Sequence, residues 1–258
     1  MTSHSINYFA VFSTTDKARV WHKKLLEAID IKLVDTPEKA DYILVWWGDG
    51  FMLDSIKRYM SYGKPFFGVN CGTLWFLLNQ VTTPHQLPKR KSEITTVSPA
   101  IVEVMLEDAT WKKYNTVCIN DVVIWWNILD YYTFGITSPK RKQNIKWSWF
   151  VVSTSVGSTA YWLNLWWPLF PLHSKLRWTI WVATRPFQYK IMKPQKLIIK
   201  IDGRKSTLVW VDGYTNAYKN IVKVVCTPSK NRISLGFIKW TDFETKRLFI
   251  AEQKLYVN

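Results

Sequence analysis

A chain of 258 residues with 48% hydrophobic side chains and a mean hydropathy of −0.10 can bury one large core or two modest ones, and no apolar run approaches the roughly 20 residues of a bilayer span. The net charge of +16 favours phosphorylated or acidic ligands. The basic residues are spread along the chain, with Lys89-Arg90-Lys91 and Lys140-Arg141-Lys142 as short clusters, which argues against a nucleic-acid partner.

In chain order, Ile6–Ser13 reads as a strand, and Thr15–Ile29 as a helix with Val20, Leu25, Leu26 and Ile29 on its apolar side. Asp41–Trp47 is a nearly all-apolar strand, as expected of a parallel strand buried on both faces. Phe51–Met60 has Met52, Leu53, Ile56 and Met60 on one helical face, Gly63-Lys64-Pro65 closes it, and Pro65–Asn70 is a third strand. Strand, helix, strand, helix, strand is the alternation of an open, doubly wound sheet. Ligands of such sheets sit beyond the carboxyl ends of the strands, where Gly48-Asp49-Gly50 and Asn70-Cys71-Gly72-Thr73 both fall. The two turns are expected to face one crevice.

Pro84–Lys91 reads as a linker, after which the segments become short and rich in Val, Ile, Thr, Tyr and Trp. Ile101–Leu106, Val117–Ile124, Phe150–Ser153, Leu197–Ile201, Leu208–Val211 and Ile221–Val225 are expected strands, with a helix beginning near Ser158. The fold class is thus an N-terminal Rossmann-like α/β domain (residues 1–93) and a C-terminal β-rich domain (94–237). The tail (238–258) packs back on the first.

Three features carry chemistry. A Gly-Asp-Gly turn after a buried strand lets a ligand approach the backbone while projecting one carboxylate, Asp49, as a general base or metal partner; Asp-Gly is also a common plain turn. Asn120-Asp121 interrupts an apolar strand, and two polar side chains there need a partner such as a ribose, unless Asp121 is simply exposed. Gly157-Ser158-Thr159-Ala160-Tyr161 offers hydroxyls, helix-start amides and an aromatic face, although a Ser/Thr cap is an ordinary alternative. The histidines stand in no metal or triad spacing, and the three cysteines in no metal pattern. A reduced, cytoplasmic protein follows, and the first residues lack the order of a signal peptide.

On these blocks the chain resembles the NAD kinase family over nearly its whole length. The matching blocks are Gly48-Asp49-Gly50-Phe51-Met52-Leu53, Gly68-Val69-Asn70-Cys71-Gly72-Thr73-Leu74, Asn120-Asp121-Val122-Val123, Ser153–Tyr161, Pro168 and Asp212-Gly213. The resemblance implies that Asp49 deprotonates the 2′-hydroxyl of the adenosine ribose of NAD, which attacks the γ-phosphate of ATP with Mg²⁺ on the phosphates. It also implies that Gly50, Phe76, Asn120, Asp121, Lys146, Thr159, Ala160, Tyr161 and Asn164 bind NAD, and that Gly48, Gly72, Thr73, Gly157 and Ser158 form phosphate loops. The expected assembly is a homo-oligomer, a dimer or tetramer, with the site between the domains.

The chain departs from the family where Trp47, Trp75, Trp147, Trp149, Trp166 and Trp167 stand at glycine positions, and at Trp162 after Tyr161. Indole offers neither positive φ nor close backbone approach, so impaired turnover is expected. The alternatives are a catalytically dead nucleotide-binding scaffold and a kinase of the diacylglycerol or sphingoid class, which shares the Gly-Asp-Gly turn.

Overall fold

A computed structural model of the chain describes residues 5–28, 30–71, 75–125, 132–139, 141–147, 149–160, 169–174, 177–182, 188–201, 207–213 and 217–256. The chain divides into two compact units, Met1–Pro99 with Ile233–Asn258, and Ala100–Arg232.

In the first unit β1 (Asn7–Phe12) leads into α1 (Asp16–Glu27), capped by Thr15, whose hydroxyl accepts from the Ala18 amide. Ala18 and Leu25 are buried on α1, and Trp21 packs on Trp46 at 4.8 Å between ring centroids. The inward stripe therefore runs Ala18, Trp21, Leu25, Ala28, at helical spacing. Val20 and Leu26, expected on the apolar side, fall off this stripe and are 55% and 65% exposed; Ile29 lies outside the described residues.

Then follow β2 (Lys32–Leu33), β3 (Tyr42–Trp47), α2 (Asp49–Tyr59), β4 (Phe66–Asn70) and β5 (Ile94–Val97). α2 buries Met52, Leu53, Ser55 and Ile56, while Met60 is half-buried. Gly63, at φ 64°, turns the chain out of the following 3₁₀ turn.

The second unit runs from β6 (Val102–Asp108) through β7 (Lys113–Cys118), β8 (Asp121–Trp125), β9 (Tyr132–Ser138), β10 (Arg141–Trp147) and β11 (Trp149–Ser153) to β12 (Arg177–Val182). β13 (Gln188–Met192), β14 (Leu197–Ile201), β15 (Leu208–Val211), β16 (Tyr218–Lys219) and β17 (Ile221–Pro228) complete it. The chain then returns to the first unit with β18 (Leu235–Ile238) and α3 (Phe243–Tyr256).

The first sheet has the order β2-β1-β3-β4-β18-β5, parallel except for β5. Pairing of β18 with both Phe66-Phe67 of β4 and Ile94–Val97 draws residues 94–99 and 233–237 into this unit, so the boundaries lie at 99/100 and 232/233 rather than 93/94 and 237/238.

Two antiparallel sheets make the second unit, β10-β9-β14-β17-β6-β7 and β13-β12-β11-β8-β15-β16. Alternation along the strands sends Val122, Ile124, Phe150, Val152 and Val209 into a core shared with Val104, Leu106, Ile136, Ile199 and Val224 of the other sheet. Val123, Val151 and Trp210 point the opposite way, toward Phe170 and Ala217. Where a helix is expected to begin near Ser158, Val156–Thr159 form a 3₁₀ turn, in which Ser155, Ser158 and Thr159 spend their hydroxyls on carbonyls; residues 161–168, over which that helix would run, lie outside the described residues.

Among the described residues, none of the tryptophans at family glycine positions is among those with positive φ. Trp47 and Trp75 keep ordinary backbone, and Trp147 and Trp149 are strand residues. Trp111, in the β6–β7 hairpin, has φ 68° and is 77% exposed. Its turn is held by Asp108, which accepts from the amides of Thr110 (2.8 Å) and Lys112 (3.0 Å). A bulky residue is strained in this geometry and gains little from an exposed ring. Trp111→Gly is expected to raise unfolding free energy by about 1 kcal/mol in urea titrations; a loss of stability would show that the indole contributes more than the backbone strain costs.

Candidate active site

Asp49 is the first residue of α2, with Gly48 as N-cap in an extended conformation, φ −127°. The strand β3 delivers it there, and the helix terminus favours its negative charge. Its carboxylate is gripped from one direction: the Phe76 amide donates to Oδ2 at 2.8 Å and the Leu77 amide to Oδ1 at 3.0 Å. Burial pushes the Asp49 carboxyl up to about 6 from the usual 3.8, and the two amides and the Arg247 guanidinium oppose that rise. A carboxyl ionising near neutrality, with each oxygen keeping a second lone pair, is suited to accept a proton from a ligand hydroxyl.

The amides of Phe76 and Leu77 are placed by a residue that sequence reasoning missed. Asn79 is 3% exposed, and its Nδ2 donates to the carbonyls of Gly68 and Gly236, both at 3.0 Å. Its Oδ1 accepts from the Ile238 amide at 2.9 Å. One side chain thus ties the 75–79 segment to β4 and β18. Gly68 permits that approach, since a Cβ there would come within 2.3 Å of Leu78 Cδ2. A polar residue directly after the apolar run Trp75–Leu78 was the available signal.

Gly48 and Gly50 have open space where a Cβ would stand and neither has positive φ. Turn geometry therefore does not require glycine at either position, and the backbone there is open to close approach. Trp47 ends β3 opposite Asn70 and is half-buried, and Trp75 is buried and stacks on Phe243 of α3 at 6.1 Å.

In the second unit Asn120 precedes β8 and Asp121 opens it. Asp121 is 5% exposed, which sets aside the reading of an exposed strand end. Asn120 Oδ1 is sealed from solvent without a hydrogen-bond partner among the described residues. The backbone beneath them is fixed by Asp212, at φ 59°, whose carboxylate accepts from the amides of Ile119 (2.9 Å), Asn120 (2.6 Å) and Asp121 (3.3 Å). The Asp212 amide donates back to the Asp121 carbonyl at 3.0 Å. Thr154 completes the frame: its amide donates to the Asn120 carbonyl at 2.8 Å and its hydroxyl to the Ile119 carbonyl.

The 153–160 loop lies against the same backbone. Ser158 and Thr159 are buried, and their hydroxyls donate to the carbonyls of Ser155 (2.8 Å) and Val156 (3.3 Å); Ala160 is half-buried. A Cβ at Gly157 would meet the Asn120 carbonyl oxygen and Ser153 Oγ, both at 2.4 Å.

Of the sequence-derived site residues, the structure brings together Gly48, Asp49, Gly50 and Phe76 in the first unit. In the second it gathers Asn120, Asp121, Gly157, Ser158, Thr159 and Ala160. Lys146 lies on β10, in the other sheet of that unit, opposite Thr133. Gly72, Thr73, Tyr161 and Asn164, with Trp162, Trp166, Trp167 and Pro168, lie outside the described residues.

No protein-family model matches the chain. It is similar to a curated NAD kinase of Rickettsia canadensis, with 32% identity over 210 residues, 78% of this chain and 82% of that one. It is similar also to a curated NAD kinase of Rickettsia africae, 33% identical over 142 residues, 54% of this chain. The chain spans about half the length of the latter, 55%. Among solved structures, an NAD kinase from Archaeoglobus fulgidus in complex with ATP superposes with a TM-score of 0.70 at 16% identity, covering 96% of this chain and 99% of that one. A yeast NADH kinase complexed with NADH gives 0.77 at 14% identity, covering 100% and 89%. At those identities the two structures show a shared fold.

Gly157→Ala is expected to destabilise the protein by about 1–3 kcal/mol and to shift the Asn120 amide resonance, since backbone has to move. An unchanged melt and an unmoved resonance would show that the loop yields instead.

Proposed function

The chain belongs to the NAD kinase family, and from that premise we propose that it transfers the γ-phosphoryl group of ATP to the 2′-hydroxyl of the adenosine ribose of NAD, giving NADP and ADP. The observation that carries this reading is the Asp49 carboxylate, fixed by the amides of Phe76 and Leu77, with burial pushing its pKa up to about 6. Ionised, Asp49 takes the proton of the 2′-hydroxyl as its oxygen bonds to the γ-phosphorus. The bond from that phosphorus to the oxygen of the ADP leaving group breaks in the same displacement.

Open space over Gly48 and Gly50 suits a ribose or phosphate held against the backbone. Asn120, with its orphan Oδ1, and Asp121 are read as partners of dinucleotide hydroxyl or amide groups, and Thr159, Ala160 and Tyr161 as the adenine end. Gly72, Thr73, Gly157 and Ser158 complete the phosphate and loop assignments, and Lys146 and Asn164 remain proposed NAD contacts. Among the described residues no three His, Cys, Asp or Glu side chains gather as a metal cage. We read Mg²⁺ as arriving on ATP, where it would spread the charge of the triphosphate.

Cys71, Cys118 and Cys226 form no disulfide, which fits a reducing compartment, so the protein is read as cytoplasmic. No described helix is long and apolar enough to cross a membrane. A homo-oligomer is carried by the family resemblance. The kinship to NAD kinases leaves the lipid-kinase alternative without support.

Asp49→Asn is expected to abolish NADP formation from NAD, ATP and Mg²⁺ while leaving NAD binding within a few-fold. The base works ionised, so kcat/KM falls about tenfold per pH unit below about 6. Stability runs the other way: a carboxyl raised on folding contributes fully below its usual 3.8, and that contribution is lost as pH rises through about 6. NAD binding without NADP formation by the unaltered chain would identify the dead scaffold. Trp47→Gly, beside the base, is expected to raise kcat/KM for ATP several-fold; unchanged kinetics would show that this indole leaves the phosphates unobstructed.

A further inference from the structure

Arg247 is far from Asp49 in sequence but belongs to the same structural unit, and its side chain is fully buried. A buried guanidinium is costly unless opposite charge and hydrogen bonds compensate it. One compensating group is Glu244, one turn earlier on α3, whose Oε1 accepts from Nη1 at 2.9 Å. The Asp49 carboxylate also acts on Arg247, and the attraction is mutual.

Helix geometry explains why these charges meet. Phe243, Arg247 and Ala251 recur every fourth residue and are all buried, so they form the inward stripe of α3. Phe243 stacks on Phe237 at 3.5 Å and on Trp75 at 6.1 Å between ring centroids. Trp75 immediately precedes Phe76, whose amide holds Asp49. The face of α3 that carries Arg247 is thus packed on the segment that grips the carboxylate. Asn79 pins the same segment to the strand leading into α3, through the Ile238 amide.

We propose that Arg247 is a positioning residue for the base, holding Asp49 as the anion, and that Glu244 sets how much of the guanidinium charge Asp49 feels. This rests on the reading of Asp49 as the base of the kinase. A plain structural role, an Arg–Glu pair fastening α3, would leave the ionisation of Asp49 untouched. Among the described residues, the charged groups that bear on Asp49 are Arg247 and, through it, Glu244.

The test follows Asp49 through its own hydrogen bonds. The ¹⁵N–¹H resonances of Phe76 and Leu77 are titrated with pH in the full chain, its Arg247→Lys, Arg247→Met and Glu244→Gln variants, and NADP formation is assayed over the same range. Arg247→Met is expected to raise the common midpoint by about one pH unit. Arg247→Lys returns it close to the starting value, and Glu244→Gln lowers it. The acid limb of kcat/KM moves in the same directions, with KM for NAD nearly constant. Midpoints that stay fixed in folded Arg247→Met and Glu244→Gln protein overturn the proposal. If Arg247→Met does not fold, Glu244→Gln decides alone: a downward shift supports the coupling and no shift overturns it. Absence of NADP formation alongside the expected amide shifts would remove the kinase reading while leaving the Arg247–Asp49 coupling in place.

Discussion

The two hydrogen bonds that the backbone amides of Phe76 and Leu77 donate to Asp49 are the constraint on which the first unit's chemistry depends. Without them a carboxylate at the end of β3 would be a mobile side chain at a helix start. With them, its oxygens are fixed in direction and its charge is held partly away from water. Burial and hydrogen bonding act in opposite senses on its ionisation, and burial prevails, leaving the group poised near neutrality. The donors are themselves secured by Asn79, which satisfies three backbone groups at Gly68, Gly236 and Ile238, and by the missing side chain at Gly68. A chain of small requirements, none of them on the surface, ends at one carboxylate.

The second unit uses a carboxylate in another way. Asp212 does not point its charge at an open space; it spends it on three successive amides, those of Ile119, Asn120 and Asp121. A left-handed backbone at Asp212 aims the side chain at them. The consequence is that Asn120 and Asp121 stand on a backbone that cannot easily twist, with the Asn120 carbonyl held from the other side by Thr154 and crowded by Gly157. Rigid backbone under polar side chains is what precise recognition of a ligand requires.

The alternation of strands and helices up to Asn70, and the turn at Gly48-Asp49-Gly50, were legible because they depend on local pattern: an apolar run, a small-residue turn, an amphipathic helix. Asn79 and Arg247 were not. Each looks like an ordinary polar residue in its own stretch, and its importance comes from partners distant in sequence. In the 153–161 block the described hydroxyls of Ser155, Ser158 and Thr159 face inward onto carbonyls, which residue type alone cannot reveal. The glycine positions taught a similar lesson. Trp47 and Trp75 fill glycine positions of the family and are not among the described residues with positive φ, whereas Trp111, in a hairpin the motifs never touched, is. Sixteen tryptophans against ten glycines describe an unusual exchange of small residues for large ones, and its effect depends on where space, rather than φ, was needed.

The central claim is that Asp49 acts on the 2′-hydroxyl of the adenosine ribose of NAD. A crystal structure with NAD bound tests it most directly. The account predicts that this hydroxyl lies within about 3 Å of an Asp49 carboxylate oxygen, with Phe76 and Leu77 still donating to the carboxylate. NAD bound with that hydroxyl turned away from Asp49, or with the amides released from the carboxylate, would contradict it.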